Sequence, residues 1–335
     1  MTSQRILTWT QRNGLFFALV ILIAVFSFAS SRFLTVPNMT VILLQNAVIG
    51  LVVVPGAMLI LCGFVDLSVG SIAVLAAVVF GQAMESQLGL PVSMLLGLGV
   101  GMLWGAFNGY LIAILGFSPI IITLGGLAGA RGLAEFITQG FTTYGYGPQF
   151  AMLGNGKLLG VPVPIILFVI VLAIGLHLWY RAPLGRHMIA IGGARDTAAE
   201  LGIPVKLLPF WLYVASGLAS ALGGLIVTSQ LDGAAVTIGT GMELEVLTAI
   251  LLGGVSFTGG RGSLFGVFFG LLFVGVLSNG LIQINVSPYV EQVAIGAALC
   301  GAAALDMLYQ RLERLQVPLE REQPETAAQA TGGKT

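Results

Sequence analysis

Residues 181–206 read RAPLGRHMIAIGGARDTAAELGIPVK, the longest charge-bearing interruption in an otherwise apolar chain. The stretch carries Arg181, Arg186, Arg195 and Lys206 within 335 residues that are 57% hydrophobic and only 8% charged. Pro183-Leu184-Gly185-Arg186 reads as a turn, and Gly192-Gly193 breaks any helix begun at His187. A compact helix is predicted over residues 194–201, with Gly202 where a C-terminal cap sits and Pro204 just beyond it. Asp196 and Glu200 lie one turn apart and share a face. A short, capped, mixed-charge helix between two apolar spans has a shape that docks into a cleft on a soluble partner. An ordinary solvated loop is the plainer alternative.

Outward from this loop the sequence is that of an all-α, polytopic transmembrane helical bundle. A mean hydropathy of +0.99 exceeds what one or two soluble cores need, and apolar runs of near-spanning length recur throughout. About ten spans are predicted, at residues 14–30, 41–61, 69–84, 92–115, 119–137, 163–180, 207–228, 242–255, 264–282 and 288–307. The eighth is short, with only ten residues between Glu245 and Ser256. It is expected to be a half-helix extended by irregular backbone over residues 234–242, which is tolerated only where protein or water covers it. Lysine and arginine set the orientation. With both termini cytoplasmic, the inner side receives Arg5, Arg12, the four cations of the 181–206 loop, Arg261, Arg311, Arg314, Arg321 and Lys334. Only Arg32 and Lys157 then fall outside, and Arg131 within a span. Arg5 and Arg12 before an apolar core also resemble a secretory signal, but the first span is expected to stay as an anchor. Residues 1–322 are read as one membrane domain and 323–335 as a disordered cytoplasmic tail. The leucines from Leu305 to Leu319 keep helical spacing beyond the tenth span.

Many of the 47 glycines lie inside the apolar runs, where they let helices approach closely. Gly97, Gly101, Gly105 and Gly109 recur every four residues, and Gly262, Gly266 and Gly270 repeat the pattern. Ser118-Pro119 and Ser287-Pro288 each place a capping hydroxyl before a proline that starts a helix. Residues 140–162 form the longest outer loop, either a gate or docking surface or a plain connector.

Ionisable and amide groups inside spans are costly and need a reason. Arg131 and Glu135, four apart, are expected to pair on one helix face, for structure or for gating. Asp66 reads as an N-cap of the third span or as part of a gate. Gln45, Asn46, Asn108, Asn279 and Gln283 either hold helices together or line a path for a neutral, hydrogen-bonding solute. No nucleophile motif or metal-ligand spacing appears, His177 and His187 stand apart, and Cys62 and Cys300 are too isolated for a disulfide framework. A formal charge of zero offers nucleic acid no basic surface, so the outer surface is read as meeting membrane lipid. Energy for moving a solute must then come from elsewhere.

Four stretches together resemble the permease subunits of bacterial ABC importers for monosaccharides, the ribose-type family. They are Asp66-Leu67-Ser68-Val69-Gly70-Ser71 with its preceding apolar helix, and Ser118-Pro119 through Thr123-Leu124-Gly125 to Arg131-Gly132. The third runs from Leu184-Gly185-Arg186 through Gly192-Gly193 to Gly202-Ile203, and the fourth from Leu252-Gly253-Gly254 through Gly259-Gly260-Arg261-Gly262-Ser263 to Gly266. The similarity covers residues 36–306, in the same order and at matching places. Phe64, Ser118 and Ala194 depart from the family's usual glycine and two asparagines. The resemblance implies a multi-pass protein of the bacterial inner membrane with no catalytic, cofactor or metal site of its own. It also implies three partners: an ABC ATPase subunit, a periplasmic sugar-binding protein, and a second permease, identical or not. On this resemblance the 181–206 loop is a coupling helix, with Gly185, Arg186, Arg195, Asp196, Glu200 and Gly202 as coupling residues. Asn46, Asn108 and Asn279 are the candidates for the translocation path, with Asp66, Arg131 and Glu135 for gating or structure. Transport by alternating access is implied. A proton-coupled secondary transporter or channel, with Asp66, Glu135 and Arg131 as a relay, is the alternative, and an intramembrane enzyme a third class.

Overall fold

Backbone polar groups in an apolar surrounding must be satisfied within their own segment, so each apolar run becomes a helix. The structure, a computed structural model, describes residues 2–316, and side chains over 14–307. In chain order the helices are α1 (Thr2–Ala29), α2 (Val36–Leu61), α3 (Val69–Glu85), α4 (Leu90–Gly109, continued by a π turn at Tyr110–Ile114), α5 (Pro119–Thr138), α6 (Pro148–Asn155), α7 (Val163–Tyr180), α8 (Pro183–Gly193), α9 (Arg195–Glu200), α10 (Leu207–Leu231), α11 (Met242–Leu252), α12 (Leu264–Gln283) and α13 (Pro288–Gln316). Among the described residues, seven stretches are long and apolar enough to cross a membrane: α2, Leu90–Ile114, α5, α7, α10, α12 and Pro288–Met307. Gly14–Ala29 and α3 are shorter apolar helices. All ten predicted runs are thus helical, and α11, at 11 residues, has the half length expected of it. α13 runs on to Gln316, as the leucine spacing predicts. The tail expected at 323–335 lies outside the described residues.

α2 and α10 form the centre and are buried along most of their length. α10 packs on α4 so closely that side chains are excluded. A Cβ on Gly101 would stand 2.5 Å from the Gly217 oxygen, and one on Gly105 2.3 Å from the Tyr213 oxygen. The four-residue glycine repeat of α4 is therefore the groove it was read to be. The repeat near α12 is shorter than predicted: Gly262 precedes the helix, whose N-cap is Ser263, while Gly266 and Gly270 meet the backbone of α11 and its C-terminal end, Gly253.

The stretch at residues 140–162 is folded. Its strand β1 (Thr143–Tyr144) pairs antiparallel with β4 (Gly233–Ala234), and β2 (Lys157–Leu158) with β3 (Val161–Pro162). α6 is fastened to the end of α10 through Ser229, whose hydroxyl donates to the Phe150 carbonyl (2.6 Å) and accepts the Gly154 N–H (2.8 Å). Phe150 stacks on Phe80 of α3 at 4.2 Å between ring centres. Of the two predicted serine caps, Ser287 accepts the Tyr289 N–H at 3.3 Å, but Ser118 makes no cap bond and the fixed φ of Pro119 alone starts α5.

Candidate coupling and translocation site

The 181–206 stretch differs from its sequence reading at its start. Pro183-Leu184-Gly185-Arg186 is the first turn of α8, with proline at the position where a missing N–H costs nothing, and α8 runs through to Gly193. Ala194, extended at φ −156° and ψ 91°, ends α8 and opens α9, so two helices meet at a corner of one residue. α9 closes as predicted. Gly202 has φ +76°; its N–H reaches the Ala199 oxygen (2.9 Å), and the Ile203 N–H reaches the Ala198 oxygen (3.0 Å). These are the paired bonds of a Schellman cap.

The corner has an inner and an outer face. Arg186, Asp196 and Glu200 are exposed, as is Leu201 at 75%. Gly185 and Ala198 are buried beneath. A Cβ on Gly185 would lie 1.9 Å from the Trp179 oxygen, so the glycine lets α8 fold back on the end of α7. At the far end of α8, a Cβ on Gly192 would lie 2.0 Å from the Leu61 oxygen and 2.3 Å from the Gly260 nitrogen. Gly260 N–H in turn donates to the Leu61 oxygen at 2.8 Å. A Cβ on Gly259 would lie 2.7 Å from the Gly63 nitrogen. Three backbones therefore touch with no side chain between them: the end of α2, the end of α8, and the loop between α11 and α12. Beside this contact opens a cleft of about 350 Å³ whose lining includes Cys62, Phe64, Ser118, Pro119, Gly192 and Arg195.

Arg195 does not project outward with the other charges of the corner. Its guanidinium stands 5.2 Å over the Phe64 ring and donates at 3.5 Å to the Ala113 carbonyl in the π turn. Phe64 leans edge-on against Tyr213 of α10, whose hydroxyl donates to the Val65 carbonyl at 2.9 Å. The next residue is Asp66. It is 8% exposed, and its carboxylate accepts the Ser68 N–H (3.0 Å), the Ser68 hydroxyl (2.6 Å) and the Ser216 hydroxyl (2.8 Å). Asn108 of α4 donates to the Ser68 oxygen at 2.9 Å. Asp66 is therefore not the N-cap of the third span: that position is held by Ser68, whose side chain makes no cap bond, and Asp66 instead binds Ser68 and ties the entry of α3 to α10. The Asp66 carboxylate, engaged by three donors, holds this arrangement firmly.

Three of the stretches that carry the resemblance contribute directly to the cleft and the glycine contact, through Ser118-Pro119, Gly192 and Gly259-Gly260, and the first reaches them through Leu61 at the end of the apolar helix before it. The family model of the branched-chain amino acid transport system permease component matches residues 38–303. The D-allose transport system permease protein of Escherichia coli K12 is 36% identical over 299 residues, 89% of this chain and 92% of that protein. The ribose import permease protein of Bacillus subtilis 168 is 37% identical over 298 residues, 88% and 92% of the two chains. The galactose/methyl galactoside import permease of Salmonella typhimurium LT2 is 30% identical over 333 residues, 92% and 97% of the two. The chain belongs to this family of ABC importer permeases. No solved structure matches it significantly. As a permease it is a multi-pass membrane protein and a non-catalytic translocation subunit, and among the described residues no His, Cys, Asp or Glu cluster could hold a metal.

The remaining predicted residues of the permease lie elsewhere. Arg131 does not turn to Glu135, which is exposed. Its guanidinium donates to the carbonyls of Val236 (2.8 Å) and Ile238 (3.4 Å) and to the Thr240 hydroxyl (3.2 Å). The cause lies in the irregular backbone before α11, whose carbonyls at 236 and 238 have no helical partner and take donors from the half-buried guanidinium. Asn279 of α12 exchanges two bonds with Asn38 of α2, at 2.9 and 3.0 Å. Asn46 lies against Gly275 of α12, bonding the Ile42 carbonyl at 2.8 Å. Both amides therefore sit between α2 and α12, apart from Asn108 and Asp66. Sequence reading gives no site role to Phe64, Ser68, Tyr213, Ser216 or the exposed Leu201. Tyr213 and Ser216 are three apart in an apolar run, a polar stripe at helical spacing that attention to charges and amides passes over.

Proposed function

We propose that this permease carries a monosaccharide or a related polyol inward by alternating access, paired with a second permease subunit, and that the α8–α9 corner is its seat in an ABC ATPase. All ten apolar helices cross the bilayer in this reading, with both termini and the corner in the cytoplasm, the side the arginine distribution favours. The membrane is the bacterial inner membrane, and a periplasmic binding protein delivers the solute to the opposite face. The substrate class rests on the names of the allose, ribose and galactose relatives.

The single observation that carries the coupling role is the side-chain-free contact of Gly192 with Leu61 and Gly260. Backbones in direct contact have no flexible side chain to absorb displacement, so a push on the corner is passed to the end of α2 and the loop before α12. Arg186, Asp196, Glu200 and Leu201 form the outer face that meets the ATPase. Gly185 and Gly202 shape the corner, and Arg195 links it through Phe64 to Asp66. Asn108 is kept for the path, while Asn46 and Asn279 hold α2 to α12. Arg131 serves as a structural clamp on the entry to α11; Glu135 has no role in this reading.

The test is uptake into proteoliposomes containing the permease, its ATPase and its binding protein. ATP-dependent accumulation of ribose, allose or galactose is expected. Accumulation driven by a pH gradient without the ATPase would instead establish a secondary transporter.

A further inference from the structure

The loop between α11 and α12, residues 253–263, receives the push of the corner, yet its sequence makes it soft. Gly259 and Gly260 sit at φ +84° and +74°, a region that glycine enters and leaves without steric cost. Within the loop the Ser256 N–H reaches the Arg261 oxygen (3.0 Å) and the Gly259 N–H reaches the Ser256 oxygen (2.9 Å). A displacement applied at Gly260 bends such a loop, rather than moving α12, unless its two ends are held.

Each end is clipped by a side chain from another helix. At the α12 end the hydroxyl of Tyr180, the last residue of α7, accepts the Leu264 N–H (3.1 Å) and lies 3.0 Å from the Ser263 hydroxyl oxygen. Ser263 is the N-cap of α12 and accepts the Gly266 N–H at 3.3 Å. Tyr180 thus takes one of the N–H groups that a helix start leaves without a partner inside the helix, and Ser263 takes another. The Tyr180 ring stacks on Phe265 at 5.4 Å between ring centres, which fixes where its hydroxyl points. At the α11 end the Asp306 carboxylate of α13 accepts the Ser256 hydroxyl and the Phe257 N–H, both at 3.2 Å and both on Oδ2. The two clips stand on either side of Gly259 and Gly260, the residues that meet Gly63 and Gly192.

We infer that Tyr180 and Asp306 are positioning residues for coupling, clips that keep this glycine-rich loop stiff where it meets Gly192. The inference rests on the reading of the α8–α9 corner as the seat of the ATPase. Held at both ends, the loop passes a displacement of Gly192 on to the start of α12; released at either end, it absorbs that displacement.

Tyr180→Phe deletes one clip and keeps the stacked ring, and Asp306→Ala deletes the other. Tyr146→Phe removes the same atom within residues 140–162, where that hydroxyl donates to the Thr143 carbonyl at 3.1 Å, and serves as the matched control. Amide exchange at Gly260 is followed in the full-length permease in lipid nanodiscs. Tyr180→Phe should speed it roughly two- to tenfold, the worth of one neutral hydrogen bond, and Asp306→Ala, which removes the acceptor of two bonds, by at least as much. Tyr146→Phe should leave it unchanged. In the assembled importer the ATP hydrolysed per sugar moved should rise by similar factors in both clip variants. A double variant separates positioning from plain stability: in a Gly192→Ala background, where the corner no longer rests on the loop, Tyr180→Phe should add nothing to that ratio. Unchanged exchange at Gly260 in both variants overturns the clips. Faster exchange with an unmoved ratio, or a Tyr180→Phe effect that multiplies that of Gly192→Ala, overturns their part in coupling. Absence of ATP-driven uptake in the wild type would count against the importer reading instead, and the exchange rates, taken on the permease alone, still decide whether the loop is clipped.

Discussion

Replacing Gly192 by alanine puts one methyl group into the tightest contact of the coupling corner. The new Cβ would stand 2.0 Å from the Leu61 oxygen, whereas real Cβ contacts stay beyond 3.0 Å, so α8 must withdraw by at least the difference, 1.0 Å. That movement strains the hydrogen bond from Gly260 N–H to the same oxygen, now 2.8 Å. Losing such a bond costs about 1 kcal/mol, and overpacking of this kind costs about 1–3 kcal/mol. Roughly 2–4 kcal/mol is therefore set against the closed contact, enough to depopulate it at least tenfold. Gly193→Ala is the matched control, because a Cβ there meets nothing within 4 Å. The assay is the number of ATP molecules hydrolysed per sugar moved by the reconstituted importer, together with thermal unfolding of the purified permease. Gly192→Ala should raise the ratio at least tenfold while Gly193→Ala leaves it near wild type. Equal ratios and equal unfolding temperatures for the two variants would refute the argument that force passes through this backbone contact.

Asp66→Ala removes the acceptor of three buried hydrogen bonds and should destabilise the permease by about 3 kcal/mol or more, read as a lowered midpoint of thermal unfolding; an unchanged midpoint would contradict the role of the network. Arg195→Met keeps the apolar stem but loses the charge over Phe64, a contact worth about 0.5–2 kcal/mol. It should weaken sugar-dependent stimulation of ATP turnover, whereas Arg195→Lys should retain part of it. Ser229→Ala deletes the two hydroxyl bonds from α10 to α6, leaving the Asn155 amide on the Ser229 carbonyl, and should speed amide exchange at Gly154 by roughly tenfold or more, with α4 unaffected.

The helices were legible because the apolar runs are long and their ends are marked by proline, glycine and serine. The close packing of α4 was equally legible, since a glycine every fourth residue has few other uses within an apolar helix. Gly202 could be placed as a cap because a helix signal ended there and Pro204 followed. Contacts between distant segments were not legible. Arg131 and Glu135 share a helix face, and local spacing invited a pair, but unmet carbonyls of residues 236 and 238 outcompete a carboxylate that stays exposed. Pro183 suits a turn and a helix start equally well, and only the packing of Gly185 on Trp179 decides between these uses. Asp66 was flagged, but Ser216 and Asn108, 150 and 42 residues further on, could not be joined to it by any local rule.

The most direct test of the account is the sidedness of Leu201, whose side chain is 75% exposed at the corner. With Cys62 and Cys300 replaced by alanine, Leu201→Cys is treated with a membrane-impermeant thiol reagent, applied to either face of sealed vesicles with and without the ATPase. The account predicts labelling from the cytoplasmic face alone, suppressed when the ATPase is bound. Labelling from the opposite face, or labelling that the ATPase leaves unchanged, would contradict it.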